Sequence, residues 1–508
     1  MKRALTSAIN PPFMRLASLA LAALLLGCTL GPDFTSPKAP AETTYTPNGE
    51  AEHQAGDQRI AMDRKITGDW WSLYRSAPLN AVLEQAIAGN RSLVAAQASL
   101  AGAQEAVNQA LAGLYPQIDL GAGATRQHIN GAQFGLSKLP PGFPPYSNLF
   151  RVGPTVSYAV DVFGVTRRGI EENQALAQVA DYELDAAYLT LTGNAVLQSL
   201  TIASLRSQIT TVEGIIADDQ TNLRLVETEV RAGVATQLDI ETARSQLASD
   251  RTLAPPLRQQ LSVARHALAV LVGQAPASWT SPDFDLDQIT LPTELPVSLP
   301  SALVRQRPDL LASEAQLHAA SAAIGVATAQ LYPNINLTAA LTQQAISVDS
   351  LFSGASNIWS IGANLTAPLF HGGALQAQRR RTVDAFNSTL ATYEQTVLQS
   401  FGQVADVLDA LSHDAELLAE QQNAVTAAEA SLTLTRRSYT LGSIGVLQVV
   451  DAQRLAEQAR LGYVRARAQR YLDTAQLLVA MGGGWWEWRG RDKDEGRPVP
   501  LMVSAPAP

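Results

Sequence analysis

Arg307-Pro308-Asp309 sets a guanidinium beside a carboxylate, as an acid–base site would. Asp283, Asp285 and Asp287 alternate like the oxygen ligands of a calcium loop, and Gly482-Gly483-Gly484 could wrap a phosphate. Each has a plainer reading. Proline in a first turn and aspartate near a helix dipole suit the start of a helix at Pro308. The three aspartates lack the glycine and distal glutamate of a calcium loop and read as a polar linker. The three glycines read as a helix stop before Trp485, Trp486 and Trp488. His53, His128, His266, His318, His371 and His413 show no metal-ligand spacing. There is no phosphate loop and no Gly-x-Ser-x-Gly elbow. The expectation is a protein that is not an enzyme, with no catalytic residue and no metal site.

The single cysteine among 508 residues, Cys28, ends a secretory pattern. Lys2, Arg3 and Arg15 form a charged flank, and Leu16 to Leu26 is an apolar stretch too short to span a membrane as a helix. Leu25-Leu26-Gly27-Cys28 resembles a bacterial lipobox, although Leu26 is bulkier than that motif usually prefers. The resemblance implies cleavage before Cys28, thioether lipidation of its sulfur and acylation of the new amino terminus. Residues 1–27 are then a signal peptide, and no cofactor is expected beyond the covalent lipid. Two or three acyl chains make a stable anchor. Thr29, rather than Asp, follows the cysteine, which by resemblance to sorted lipoproteins points to the outer membrane. With no other cysteine there is no intramolecular disulfide.

Composition narrows the class. Lys and Arg number 37 against 46 Asp and Glu, a net charge of −9, which excludes a basic nucleic-acid binder. Loss of residues 1–27 removes three cations and no carboxylate, taking −9 to −12. Hydrophobic residues make up 46% and charged residues only 16%, so disorder is excluded. After residue 27 no apolar run is long enough for a membrane helix.

The elements come in two copies. Leu114-Tyr115-Pro116-Gln117-Ile118-Asp119-Leu120 recurs as Leu331-Tyr332-Pro333-Asn334-Ile335-Asn336-Leu337, and each copy ends an Ala-rich helical pattern at its proline. Gly233, Leu238 and Ala243 recur as Gly442, Leu447 and Ala452. The chain divides into a lipidated N-terminal segment 28–68, a first repeat 69–273, a Pro- and Asp-rich linker 274–300, a second repeat 301–484 and a tail 485–508, expected to be mobile.

After each Leu-Tyr-Pro the period becomes two. Apolar Ile118, Leu120 and Ala122 alternate with polar or small residues, as do Val152 to Val162, Ile335 to Leu341 and Trp359 to Leu369. Period two makes strands with one apolar face, long enough when tilted to cross a bilayer. A soluble antiparallel hairpin would show the same alternation; the lipid anchor and the absence of further hairpins favour the bilayer. Four strands cannot close a barrel, and an open edge cannot sit in lipid, so several chains must pool them.

The remainder is helix. Tyr188, Ala195, Ile202, Ile209 and Ile216 fall at sevens, as do Leu390, Val397, Val404 and Leu411, the pattern of side-by-side helix packing. The long helices break at Gly233 and Gly442 and then resume, making tips of helical hairpins. Each repeat runs helix, strand, strand, long helix, tip, helix.

These residues together resemble the TolC-like outer-membrane efflux proteins, in their lipoprotein (NodT-type) branch. The resemblance rests on Cys28 to Phe34, Trp70-Trp71, Val152-Gly153-Pro154 through Asp161-Val162-Phe163-Gly164, Arg307-Pro308-Asp309-Leu310, Pro368 to Gly373, and Tyr439-Thr440-Leu441-Gly442 through Asp451-Ala452-Gln453. It implies a mainly α fold with a transmembrane β part: a long α-helical barrel in the periplasm and a shared 12-stranded β-barrel, closed only as a homotrimer with four strands per chain. It also implies an exit duct of a tripartite efflux system. The duct passively conducts small toxic compounds from a periplasmic membrane-fusion adaptor and an inner-membrane pump, of RND or another type. Outer-membrane lipid is the remaining partner, and no nucleic acid is expected. A duct for protein secretion and a non-conducting coiled-coil envelope scaffold are the alternatives.

The family's gates use acidic side chains just past the second tip. By that resemblance Asp451 is a gate residue, Gln448 fills the companion position without a charge, and Asp239 is the first-tip acid. Gly233, Val234, Gly442, Ser443 and Ile444 are the expected adaptor contacts. Ile444 stands where some relatives carry an arginine latch. Arg167-Arg168 and Arg379-Arg380-Arg381 follow the strand exits and are expected at lipid headgroups.

Overall fold

The computed structural model describes residues 29–47, 56–64, 66–135, 137, 140–141 and 144–488. The signal peptide, Cys28 and residues 489–508 lie outside them.

Strand β1 (Arg59–Met62) precedes a first half of α1 (Ala77–Gly89), α2 (Arg91–Ala112), β2 (Gln117–His128), β3 (Tyr146–Val160), α3 (Val165–Arg231), α4 (Gln237–Arg251) and α5 (Ala254–Leu271). Strand β4 (Glu294–Val297) and a helical turn (Pro300–Leu303) lead to the second half. This has α6 (Pro308–Ala329), β5 (Asn334–Ala345), β6 (Asn357–Thr366), α7 (Ala374–Thr440) and α8 (Val446–Ala480), with α9 (Trp485–Trp488) beyond it. The long helices α3 and α7 have 67 residues each, about 100 Å at 1.5 Å per residue. The halves differ after their tips. Pro255 and Pro256 cannot donate to a preceding turn, so the first half breaks there into α4 and α5. Proline-free α8 runs 35 residues without interruption.

One compact unit comprises residues 29–36, 101–179 and 314–392. Its centre is an antiparallel sheet in the order β2-β3-β5-β6. The central pair β3 and β5 joins the two halves, while β2 and β6 each keep one edge unpaired within the chain. Gly153 is where the central strands meet closely: a Cβ there would lie 2.1 Å from the Leu341 carbonyl oxygen.

The other unit comprises residues 37–100, 180–313 and 393–488. Its core holds Trp70, Tyr74, Leu79, Leu200, Ile202, Phe284, Leu295, Leu303, Leu408 and Leu477. The seven-residue rows are buried here at Tyr188, Ala195, Ile202 and Ile209, and at Val397, Val404 and Leu411.

The connection 274–300 is packed into this unit. Its β4 pairs in parallel with β1, from Arg59↔Glu294 to Met62↔Val297, and Leu295 and Val297 are fully buried. The alternating aspartates serve arginines and a turn: Asp283 accepts from Arg265 at 2.5 Å, Asp287 from Arg467 at 2.5 Å, and Asp285 caps the Asp287 amide. The segment from Trp485, read as a mobile tail, starts with ordered structure: Trp485 is buried and its Nε1 donates to the Gln306 carbonyl at 2.6 Å. The burial of a large aromatic outweighs the composition of the residues that follow.

Candidate functional site

The strand register aligns the apolar positions of all four strands on one face. Ile118 sits opposite Val156 and Leu120 opposite Pro154. Val156 faces Ala339 and Tyr158 faces Leu337; Ala339 faces Ile361 and Leu341 faces Trp359. The other face pairs Asp119 with Thr155, Ser157 with Thr338 and Asn336 with Asn364. Among the described residues the apolar face has no cover: Leu120 is 77% exposed and Ile361 80%. An open apolar face with unpaired edges on both sides is unstable in water and in lipid alike until other strands close it. Among the described residues no helix is long and apolar enough to cross a membrane.

The two tips end their long helices identically. Gly233 and Gly442 have φ of +76° and +74°, a left-handed conformation that glycine adopts without strain. The Gly233 and Val234 amides reach back to the Val230 and Glu229 carbonyls at 3.1 and 2.9 Å, and the Gly442 and Ser443 amides to the Tyr439 and Ser438 carbonyls at 2.8 and 3.0 Å, the double closure of a glycine-terminated helix. Apolar side chains crown both tips: Val234, Leu238, Leu441 and Leu447 are all exposed.

The next helices begin differently. In the first tip the Asp239 carboxylate accepts from the Thr236 amide at 2.7 Å and from its hydroxyl at 2.8 Å. Asp239, the expected first-tip acid, thus also caps the start of α4. In the second tip the capping position is Gly445, without a side-chain cap, and Gln448 occupies the place of Asp239. Asp451 lies one turn farther on, exposed, with Arg454 3.7 Å away. Tyr439, carried in the sequence only as part of the tip motif, donates a hydrogen bond to Glu229 of the other long helix. Burial, and next that hydrogen bond, push its phenol above the ordinary value. Val226, Ile240 and Val446 form a small core beneath both tips.

The model of the family described as "Outer membrane efflux protein" matches residues 82–274 and 299–483. The pyoverdine export outer membrane protein OpmQ of Pseudomonas aeruginosa is 30% identical over 477 residues, 93% of this chain and 97% of that protein. The toluene efflux pump outer membrane protein TtgF of Pseudomonas putida is 29% identical, covering 92% and 96%. Among solved structures, the outer-membrane channel OprN superposes with a TM-score of 0.81 at 26% identity, over 90% of this chain and 100% of that one. The outer membrane protein VceC of Vibrio cholerae gives 0.75 at 26% identity, over 83% and 100%.

The chain belongs to the outer membrane efflux protein family.

As a member of this family it is an outer-membrane channel, and the uncovered sheet is its share of a β-barrel that closes as a homotrimer. Four strands per chain give twelve, enough for closure without an edge.

At the foot of the sheet the segment after Cys28 is held by Arg168. This side chain is only 4% exposed. It donates to the Leu30 carbonyl at 3.1 Å, to Asp33 at 2.7 Å and to Glu171 at 2.6 Å. These two carboxylates raise its pKa against the opposing effect of burial. Arg167 folds onto Asp161, donating to its carbonyl at 2.7 Å. The expected headgroup role therefore fails for this pair, because both guanidiniums are engaged within the protein; Arg379, Arg380 and Arg381 are exposed. Arg307-Pro308-Asp309 is a helix start, as read: Arg307 meets Asp309 through two bonds of 3.1 and 2.7 Å and reaches Gln403 at 3.0 Å.

Sequence reasoning missed a buried group of carboxylates, Asp219, Asp250 and Glu457, gathered from α3, α4 and α8. Burial, followed by the hydrogen bond and charge of neighbouring carboxylates, pushes Asp219 up to about 8. Burial first, together with Asp250 and Asp218, raises Glu457 to about 7. No local spacing signals this group, because its members are far apart in the chain.

Proposed function

We propose that this channel carries small toxic or apolar compounds, with the second tip as its gate and Cys28 as its lipid anchor. The protein is the outer-membrane exit duct of a tripartite efflux system, working with a periplasmic adaptor and an inner-membrane pump. Conduction is passive, since energy enters at the pump. The observation that carries the reading is the sheet: four strands, one unbroken apolar face and two unpaired edges. A non-conducting scaffold has no need of such a face.

The substrate proposal follows the relatives named for toluene and antibiotic efflux. The gate proposal centres on Asp451. An exposed carboxylate repeated by threefold symmetry forms a ring that repels itself when closed and favours cations when open. Gln448, uncharged, leaves the ring with fewer charges. Gly233, Val234, Gly442, Ser443 and Ile444, with the exposed apolar Leu238 and Leu441, present the surface an adaptor would meet. The lipid proposal for Cys28 draws on the segment that follows it, where Arg168 holds the Leu30 carbonyl and Asp33.

Planar bilayers test the reading. The purified trimer should conduct, and Asp451→Ala should lower its cation preference about twofold or more. Absence of conductance would refute the duct, while conductance with unchanged selectivity would remove Asp451 from the gate. Cys28→Ala should abolish labelling by a fatty-acid analogue.

A further inference from the structure

Asp219, Asp250 and Glu457 come together from three helices at relative exposures of 3%, 8% and 5%. One carboxylate oxygen from each lies within 4.8 Å of the others. Their neighbours do not neutralise them. Gln453 Nε2 donates to Asp219 Oδ1 at 2.6 Å and to Glu457 Oε1 at 2.9 Å. Gln246 Nε2 donates to Asp250 Oδ2 at 2.7 Å. The Gln453 carbonyl is taken by the Asn222 amide. Arg460, on the same helix as Glu457, is committed to Glu429 at 2.8 Å and stands 3.7 Å from Asp218, whose charge adds to the negative side. Asp219 Oδ2 is buried and, among the described residues, no amide, guanidinium or hydroxyl donor reaches it; the other close neighbour of this side chain is the Asp250 carboxyl.

Three carboxylates with amide donors alone are not a stable buried arrangement. Desolvation of an unpaired carboxylate costs several kcal/mol, and like charges at this spacing add to it. Either protons or a cation must complete the group. The donors are all oxygens, with no histidine or cysteine, which selects a hard ion over a soft one. Calcium–oxygen bonds of about 2.3–2.6 Å allow ligands up to about 5 Å apart around one ion, so three oxygens within 4.8 Å of one another can share it. Magnesium bonds of about 2.0–2.1 Å demand a tighter octahedron.

We propose that Asp219, Asp250 and Glu457 form a buried site for a calcium-sized divalent cation that ties α3, α4 and α8 together. Asp219 Oδ2, which no amide, guanidinium or hydroxyl donor reaches among the described residues, is a ligand. The remaining coordination comes from the second carboxylate oxygens and water. Protons compete for the same oxygens. Calcium therefore displaces protons and binds more tightly as pH rises. The site is separate from Asp451 and stands whether or not that residue gates the channel.

The test uses the chelator-treated trimer in detergent, titrated calorimetrically with Ca²⁺ alone at pH 8 and pH 6. The expected result is one Ca²⁺ per protomer at pH 8, weakened roughly tenfold or more at pH 6. That binding, and a Ca²⁺-dependent rise in melting temperature, should be lost in Asp219→Asn and in Glu457→Gln and kept in Asp218→Asn. Both isosteric changes remove repulsion, so the variants should assemble in chelator at least as well as the parent; should one fail to assemble, the other gives the same reading. No calcium binding at millimolar concentration and pH 8 overturns the proposal. Binding that persists in the variants overturns it as well, since protons alone would then satisfy the group.

Discussion

At Gly233 and at Gly442 the chain ends a 67-residue helix with the same pair of backbone bonds, yet three residues later the two tips part company. The first closes on itself, with the Asp239 carboxylate tied to Thr236. The second has Gly445 and Gln448 at those places and no local cap. Its hold is tertiary, through Tyr439 on Glu229 and Val446 against Val226 and Ile240. Both tips share the core of Val226, Ile240 and Val446, so the local cap is what the first has and the second lacks. A tip held by a neighbouring helix can be released by moving that helix. The duplication thus supplied two copies of one hairpin, one with its own side-chain cap and one without.

The largest expected effect should act on both tips alike and so serves as the reference. Asp219 and Glu457 have folded-state pKa values of about 8 and about 7, and Asp414 is raised to about 7 by burial and Asp473. All three exceed the ordinary carboxylate range near 4 that applies when unfolded. Their protonated forms favour the folded state, so the contribution is complete below about pH 4 and is lost as pH rises through 7 to 8. In chelator the melting temperature should fall by several degrees between pH 6 and pH 8.5, about the shift that a kcal/mol or two produces. Asp219→Asn should flatten that slope.

Tyr439→Phe should come next and discriminate between the tips. It removes a hydrogen bond to a carboxylate, worth about 1.5–3 kcal/mol, which corresponds to roughly tenfold or more in the open-to-closed ratio. Bilayer conductance should rise while amide exchange at residues 234–242 stays as it was. Asp239→Ala should do the reverse. Losing the cap costs about 1 kcal/mol, so exchange should quicken about fivefold around Thr236 with conductance unchanged. The smallest effect is the transplant: Gly445→Thr with Gln448→Asp should slow exchange at residues 446–450 by a few-fold and lower conductance. If the transplant leaves both unchanged, local capping is not what separates the tips.

Much of this was visible before any coordinates. The period-two runs placed all four strands, because alternation records which face each residue takes. The sevens placed the long helices, and the repeated Leu-Tyr-Pro and glycine placed their ends, because proline and left-handed glycine act on the backbone where they stand. Open edges on four strands demanded other chains, an inference from closure that needed no fold.

What stayed hidden depends on residues distant in the chain. Strand β4 lay concealed in a Pro- and Asp-rich segment, because its partner β1 is more than 200 residues away and pairing supplies the stability its composition does not. Arg168 looked like a membrane anchor until Leu30, Asp33 and Glu171 were found around it. That Asp239 caps its own helix through Thr236 was likewise not read from the sequence. Asp219, Asp250 and Glu457 were three unremarked surface-type residues in sequence and one buried group in space. Local backbone chemistry and one-face periodicity are written in consecutive residues, so the sequence alone determined the elements and their order. Whether a charge is paired, capped or buried depends on which helix lies against it, and only the tertiary structure decided that.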